Sequence, residues 1–216
     1  MKFLTKKIKS YECLNIKDIY EYANTCNLDN VKKSLKRQLE YNYQIALAGI
    51  NGDYGASIGY ILNKNAKDLK EKAKAYTAAA SDARMAGASL PVVIISGSGN
   101  QGITASVPLV IYAKEYQISE EKLLRSLILS DLIILEEKKD IGRLSAFCGA
   151  ISAGVGAVAG ICYMLGGTLE AISHTVVNAL AISSGIICDG AKSSCAAKIA
   201  LALESGFIGY NMYLEN

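Results

Sequence analysis

The sequence predicts a mainly α protein, a compact helical domain around a buried central helix rich in glycine and alanine. Apolar residues recur four positions apart between residues 31 and 47, the spacing of one helix face. Residues 64–88 are rich in alanine and lysine, which favour helix. Only 2 of the 216 residues are proline and 51% are apolar, so the chain can fill a hydrophobic core.

The first 88 residues predict helices joined by one polar loop. Residues 16–22 are expected to form a short helix, and residues 28–30 offer capping side chains before a helix over residues 31–48. Residues 49–59, dense in Gly, Asn and Asp, predict a loop. In the following helix, over residues 64–88, several alanines predict close approach of another helix.

The middle of the chain predicts one short strand, a loop and two helices. Residues 91–95 resemble a strand by composition, and residues 96–102 predict a loop because glycine is so frequent there. Residues 103–115 predict a helix that kinks or breaks at Val107, before Pro108. Ser119 is expected to cap a helix that ends near residue 136, with a polar turn at residues 138–140.

The last third predicts three further helices, over residues 145–165, 169–184 and 188–205. Residues 147–167 carry no charge and contain the Gly156-x-x-x-Gly160 spacing known from helix pairs in lipid. This stretch is rich in glycine and poor in leucine and isoleucine, which weakens a transmembrane assignment. We therefore expect it to be the buried central helix of the domain.

The composition excludes some classes of function. The net charge of +3 is small, and the basic residues are interspersed with acids, so we expect no nucleic-acid partner. The N-terminus lacks the apolar core of a secretory signal, and we expect a cytoplasmic protein without a membrane partner. Thiols stay reduced in that compartment. We expect an N-terminal segment over residues 1–27 and one domain over residues 28–216.

The cysteines are the most informative residues. Cys188 and Cys195 are separated by six residues, which matches neither a common zinc spacing nor the close repeats of ferredoxins. If Cys148 joined them, three thiolates would leave one position of a metal site open, as a catalytic metal requires. The alternative is that these cysteines are buried and inert.

The glycine-rich loop before residue 103 is a second candidate site. Consecutive backbone N–H groups leading into a helix can bind an anion, and Ser96, Ser98 and Asn100 add side-chain donors around Gly99. The glycine spacing matches neither a Walker loop nor a dinucleotide-binding fingerprint. A carboxylate or phosphate site and a plain tight turn both remain open.

Several single residues have a functional and a structural interpretation. His174, the only histidine, is either a proton-transfer residue or a helix-surface side chain. Lys192 either contacts a substrate carboxylate or is an exposed lysine. Asp82 and Arg84 predict a surface ion pair. The remaining cysteines, Cys13, Cys26 and Cys162, predict no chemistry.

Three runs of sequence together resemble the L-cysteine desulfidase family, which is related to the α-chain of iron–sulfur L-serine dehydratases. The runs are residues 96–106 (SGSGNQGITAS), 148–154 (CGAISAG) and 188–198 (CDGAKSSCAAK). The resemblance extends from about residue 30 to the C-terminus.

The resemblance implies a [4Fe–4S] cluster held by Cys148, Cys188 and Cys195, with the unligated iron acting on the β-substituent of an amino acid. It also implies β-elimination of L-cysteine to sulfide, pyruvate and ammonia. The loop residues Ser96, Ser98, Gly99 and Asn100 would hold the carboxylate. The expected catalytic residues are Lys192, His174 and Asp189.

The resemblance leaves other functions open. Relatives of full length are about twice as long and carry an N-terminal cysteine segment absent here, so we expect a homo-oligomer or a partner that supplies this half. L-Serine dehydration is the first alternative function. A non-catalytic iron–sulfur or metal-binding remnant, and a helical or membrane interaction protein, are alternatives of other classes.

Overall fold

The computed structural model describes residues 14–142 and 145–215. Nine α-helices and one 3-10 turn make up these residues, and the predicted mainly α fold is confirmed. In chain order the helices are α1 (Ile16–Thr25), α2 (Lys32–Asn51), α3 (Ile58–Asn65), α4 (Leu69–Met85), α5 (Gly99–Glu115), α6 (Glu120–Ile141), α7 (Gly149–Met164), α8 (Leu169–Ser183) and α9 (Ser194–Leu214), and the 3-10 turn is Leu28–Asn30.

Helix α7 is the predicted central helix, with residues 150–164 all buried. It is packed between α5, α6, α8 and α9. Its glycines allow backbones to touch: a Cβ at Gly154 would lie 2.6 Å from the Ala202 carbonyl carbon, and one at Gly156 would lie 2.7 Å from Ser130 O. The spacing that resembles a membrane motif therefore serves helix packing inside the domain. Within the described ranges, none of the helices combines the length and apolarity needed to cross a bilayer.

The alanines of α4 pack closely against other helices, as predicted. A Cβ at Gly49 of α2 would lie 2.0 Å from Ala79 O, and one at Gly59 of α3 would lie 2.3 Å from the Ala79 Cα. Helix α3 itself was not predicted, because most of its residues fall between the loop expected over residues 49–59 and the helix expected over residues 64–88. Helix α1, which precedes the boundary expected at residue 27, contributes Ile19 and Ala23 to the main core, and the domain division stays a prediction.

The strand predicted at residues 91–95 is wrong. In the described residues this segment forms only one bridge, between Ile95 and Ser98. The fully buried amide of Asn42 takes the place of a neighbouring strand: its Oδ1 accepts from Val93 N at 2.8 Å, and its Nδ2 donates to Val93 O at 3.2 Å. The backbone N–H and C=O of Val93 are thus paired by one side chain instead of by a second strand.

Three helix boundaries differ from the predictions for reasons of packing. Helix α5 continues through Pro108 without a break, because residues 99–113 are all buried and tertiary contacts outweigh the lost hydrogen bond. The Ser119 cap is confirmed, its hydroxyl accepting from Lys122 N at 3.3 Å. The polar turn predicted at residues 138–140 is wrong, since α6 continues to Ile141 and buries Lys138. Helix α9 begins at Ser194, six residues later than predicted.

Candidate functional site

A cavity of about 270 Å³ lies where three distant parts of the chain meet. Its wall includes the Gly/Ser loop before α5, the segment that opens α7 and the loop that leads into α9. The structure therefore brings together six of the predicted site residues, namely Ser96, Ser98, Asn100, Cys148, Cys188 and Cys195. Two candidate sites that are separate in sequence form one cavity.

The loop before α5 is a two-residue turn. Ser96 and Gly97 both have positive φ (49° and 86°), as in a type I′ turn, and Ile95 and Ser98 exchange two backbone hydrogen bonds of 3.2 and 3.0 Å. A positive φ is unusual for serine and is found most often where surrounding structure enforces it. The turn places the first residues of α5 at the cavity wall.

Cys148 and Cys188 are positioned by a short antiparallel contact. Cys148 N donates to Ile186 O at 3.0 Å and Cys188 N donates to Ala146 O at 2.8 Å, which pairs Phe147 with Ile187. Side chains alternate along extended backbone, so both cysteines lie on the face opposite this pair. They are diagonal neighbours in this contact, and both cysteines are free.

Lys198 anchors the loop that carries Cys188. Its Nζ donates to Ile187 O at 3.0 Å and to Asp189 Oδ1 at 2.5 Å, while Ser194 Oγ donates to Asp189 Oδ2 at 2.9 Å. The Lys198 ammonium and the Ser194 hydroxyl lower the pKa of Asp189 to about 2. In the structure the Asp189 carboxylate thus holds the cysteine loop to α9, and its predicted catalytic role stays a prediction.

Three helix N-termini converge on the cavity. Helices α5, α7 and α9 begin beside Ser98, Cys148 and Cys195, and no side chain caps the first turn of any of them by a hydrogen bond. Asn15, Asp68, Ser119 and Thr168 cap α1, α4, α6 and α8 in this way, whereas α2 and α3 also lack a side-chain cap. The free N–H groups and the positive ends of the helix dipoles favour negative charge. The cavity is therefore suited to thiolates and to an anionic ligand.

The electrostatics of the thiols depend on burial and on nearby cations. Burial raises the pKa of Cys148, while the Ala150 backbone N–H and Lys198 act in the opposite direction. Lys138, only 5% exposed, lines the same cavity. Burial lowers its pKa, and the nearby Cys148, Glu137 and Cys188 oppose that shift by favouring the charged ammonium. Lys138 thus places a positive charge beside the thiols.

The three cysteines of the cavity wall are its candidate ligands for a metal centre, and all three are free thiols. Thiolates are the ligands that iron–sulfur clusters use in proteins. Among the described residues, no group of three His, Cys, Asp or Glu side chains is placed to hold a metal ion.

The other predicted residues lie elsewhere. His174 is exposed on α8 with its ring 5.5 Å from that of Tyr213, and it is absent from the described cavity wall. Lys192 is exposed on the loop between Cys188 and Cys195. Cys162 is fully buried, and burial raises its pKa to about 11, as expected for an inert thiol. Cys26 is buried and Cys13 lies outside the described residues.

The residues of the cavity wall that were not predicted include Arg84, Lys138 and Gln101. The surface ion pair expected of Asp82 and Arg84 is wrong. Asp82 is buried and accepts from Gly59 N at 2.8 Å, and Arg84 Nη1 donates instead to Asn100 Oδ1 at 3.2 Å. Gln101 directly follows the predicted site residue Asn100, so extending that motif by one position would have included it.

Comparison with known proteins identifies a family for this chain. The family model described as serine dehydratase alpha chain matches residues 4–216. No solved structure matches the chain.

The similar curated proteins are longer than this chain. A UPF0597 protein of Desulfitobacterium hafniense is 56% identical over 203 residues, which are 94% of this chain and 47% of that protein. A UPF0597 protein of Finegoldia magna is 51% identical over 212 residues, 98% of this chain and 51% of that protein. The chain thus spans about half the length of the curated relatives it matches. Since the family model covers nearly the whole sequence, the chain belongs to the serine dehydratase alpha chain family.

Proposed function

We propose that this chain is the cluster-bearing part of a lyase that eliminates sulfide from L-cysteine. The observation that carries the proposal is the shared cavity: the Gly/Ser turn and three cysteines, up to 99 positions apart in sequence (Ser96 to Cys195), line the same space. Membership of the serine dehydratase alpha chain family supports elimination chemistry on a small amino acid.

The start of α5 would hold the carboxylate of the amino acid. The first backbone N–H groups of this helix have no acceptor within it, since its first intrahelical bond runs from Gly102 N to Ser98 O. Asn100 Oδ1 is occupied by Arg84, which leaves the Asn100 amide nitrogen as a donor for the ligand. Ser96 and Ser98 add hydroxyl groups at the same wall.

The thiolates of Cys148, Cys188 and Cys195 would hold a [4Fe–4S] cluster. When bound through three cysteines, such a cluster supplies a Lewis-acidic iron that can polarise the bond to the substrate's β-substituent. The three uncapped helix N-termini and Lys138 would offset the negative charge of the thiolates.

The overall reaction is balanced by one water molecule. Loss of the α-proton and of sulfide from L-cysteine leaves aminoacrylate, whose imine tautomer is hydrolysed to pyruvate and ammonia. A proton acceptor is therefore needed near the α-carbon. Of the residues predicted for this role, Lys192 lies between two of the proposed ligands in sequence, whereas His174 lies on another helix.

The length of the relatives bears on whether the chain acts alone. Because it spans about half of them, we propose that a second polypeptide, or a second copy of this chain, completes the active site. Assays of the chain with and without the unmatched part of the Finegoldia magna relative would test this.

Anaerobic reconstitution with iron and sulfide tests the proposal. We expect a brown protein with about four irons per chain that releases sulfide and pyruvate from L-cysteine. Cys188→Ser should lose most of the iron. The matched control is Cys26→Ser, which replaces a cysteine outside the cavity wall and should keep it.

Each outcome has a defined meaning. A colourless protein in which Cys188→Ser and Cys26→Ser behave alike would contradict the cluster. Pyruvate from L-serine, without sulfide from L-cysteine, would replace the proposed substrate by that of an L-serine dehydratase. Full iron loading without turnover, even with the supplied second polypeptide, would identify a non-catalytic cluster protein.

A further inference from the structure

Arg84 reaches the cavity from α4, an element that contributes none of the family motifs. Its guanidinium lines the cavity wall and donates to Asn100 Oδ1 at 3.2 Å. No Asp or Glu among the described residues forms an ion pair with it. The same Nη1 also donates to Met85 Sδ at 4.0 Å. Both hydrogen bonds therefore come from one of the three guanidinium nitrogens, and the charge of Arg84 has no carboxylate counterpart in the described part of the chain.

Gly99 brings this guanidinium against the start of α5. A Cβ at Gly99 would lie 2.4 Å from Arg84 Nε and 2.9 Å from its Cζ. The absence of a side chain at this position is what lets the guanidinium pack on the first residue of the helix. The N–H donors of the Arg84 guanidinium therefore lie next to the free backbone N–H groups of α5.

Two further buried side chains indicate that this wall is built for a ligand. Lys138 is 5% exposed and lines the cavity, and its ammonium group makes no hydrogen bond or ion pair within the described residues. Gln101 is also 5% exposed and lines the cavity, and its Oε1 has no hydrogen-bond partner in the described chain. Buried polar groups are normally paired. The described wall includes no Asp or Glu, so no carboxylate of the wall neutralises Arg84.

We infer that Arg84 binds the α-carboxylate of the substrate and thereby restricts this site to molecules with a free carboxylate. A guanidinium matches a carboxylate through two parallel N–H donors, a geometry that lysine does not reproduce. Arg84 also fixes the Asn100 amide with its nitrogen available to the same ligand. The inference rests on the proposed function for its substrate class, an α-amino acid.

A pair of ligands that differ only in the carboxylate tests this role. Dissociation constants of L-serine and ethanolamine would be measured by calorimetry on the full chain, with and without reconstituted iron. The wild-type protein should prefer L-serine by about 10- to 100-fold, the range expected of a charge-assisted pair. In Arg84→Gln that preference should fall to within about threefold, and Arg84→Lys should retain part of it.

Two further variants separate recognition from folding. Arg37→Gln removes an arginine that is exposed on α2 and should bind like the wild type. Gly99→Ala keeps Arg84 but displaces its guanidinium, and should lose the same preference. If Arg84→Gln does not fold, Arg84→Lys and Gly99→Ala give the answer.

The results distinguish this inference from the proposed function. An unchanged preference in folded Arg84→Gln and Gly99→Ala, or no preference in the wild type, would overturn the role of Arg84. If the preference depends on Arg84 but no sulfide or pyruvate is ever released, the lyase proposal fails and the carboxylate site stands. If sulfide is released but the preference for L-serine is unchanged in Arg84→Gln, the lyase proposal stands and the role of Arg84 fails.

Discussion

Helix α7 belongs to two regions that are built differently. Along residues 150–164 it is wholly buried, and glycine contacts bring the backbones of α6 and α9 against it. At its first residue it faces a cavity. There Cys148 forms a backbone hydrogen bond with the loop that carries Cys188, and Lys198 holds this loop by a hydrogen bond to Ile187 O. The interior depends on shape, and the cavity wall depends on hydrogen bonds and charge.

This difference indicates where substitutions should act. A change in the interior should alter the stability of the whole domain, because close-packed helices cannot rearrange cheaply. A change at the cavity wall should alter local order and ligand binding, because short loops can open without unfolding the core. Three predictions test this division, in order of expected effect.

Asp131→Asn tests the cost of burying a charged carboxylate in the helical interior. Burial raises the pKa of Asp131 from 3.8 to about 7, and the Gln38 amide, which donates to it at 3.0 Å, opposes the shift. Because the folded pKa is above the unfolded one, stability is lost as pH rises from about 4 to about 7. At about 1.4 kcal/mol per unit, Asp131→Asn should gain up to about 4 kcal/mol above pH 7 and little at pH 4.

Urea unfolding at pH 4, 6 and 8 measures this effect. Asp140→Asn, at an exposed position near the end of the same helix, is the matched control and should show no such pH dependence. Equal stability of Asp131→Asn and the wild type across the three pH values would show that Asp131 is not buried as a carboxylate.

Gly154→Ala tests the backbone contact between α7 and α9. The new methyl group would lie 2.6 Å from the carbonyl carbon of Ala202, so a helix must shift, and we expect a loss of about 2–3 kcal/mol. At Gly52 the new methyl group would lie 2.4 Å from the ring of Tyr54, which can rotate away, and 2.9 Å from Ala48 O, a looser backbone contact than the one at Gly154. Gly52→Ala should therefore cost less in the same unfolding experiment. The reverse order would argue against a shape-limited interior.

Lys198→Met tests the tether of the cysteine loop. Removing the contacts to Asp189 and Ile187 should raise amide hydrogen exchange in residues 186–192 by about tenfold. Exchange in residues 150–164 and the urea midpoint should stay unchanged. Lys70→Met removes another surface lysine, 3.9 Å from Asp68, and should leave residues 186–192 as they are. If exchange also rises along α7, the loop and the core are one cooperative unit.

Much of the fold was predictable because helix signals are local. The small residues of α4 and α7 indicated close helix packing, and Ser119 indicated a helix start, since each effect depends on residues a few positions apart. The prediction of a strand at residues 91–95 was wrong because Asn42, 51 positions away, pairs the backbone N–H and C=O of Val93. No local pattern contains that information.

The sequence by itself determined the helical class, the buried central helix and the two motifs that proved to share a cavity. Only the tertiary structure decided that they meet there, and that Arg84 and Lys138 line the same wall. Arg84 lies in the last turn of an alanine-rich helix, and Lys138 lies in a charged run, so each resembles a solvated residue in sequence. Their places in the cavity wall are set by the packing of α4, α5, α6 and α7, which is a property of the assembled domain.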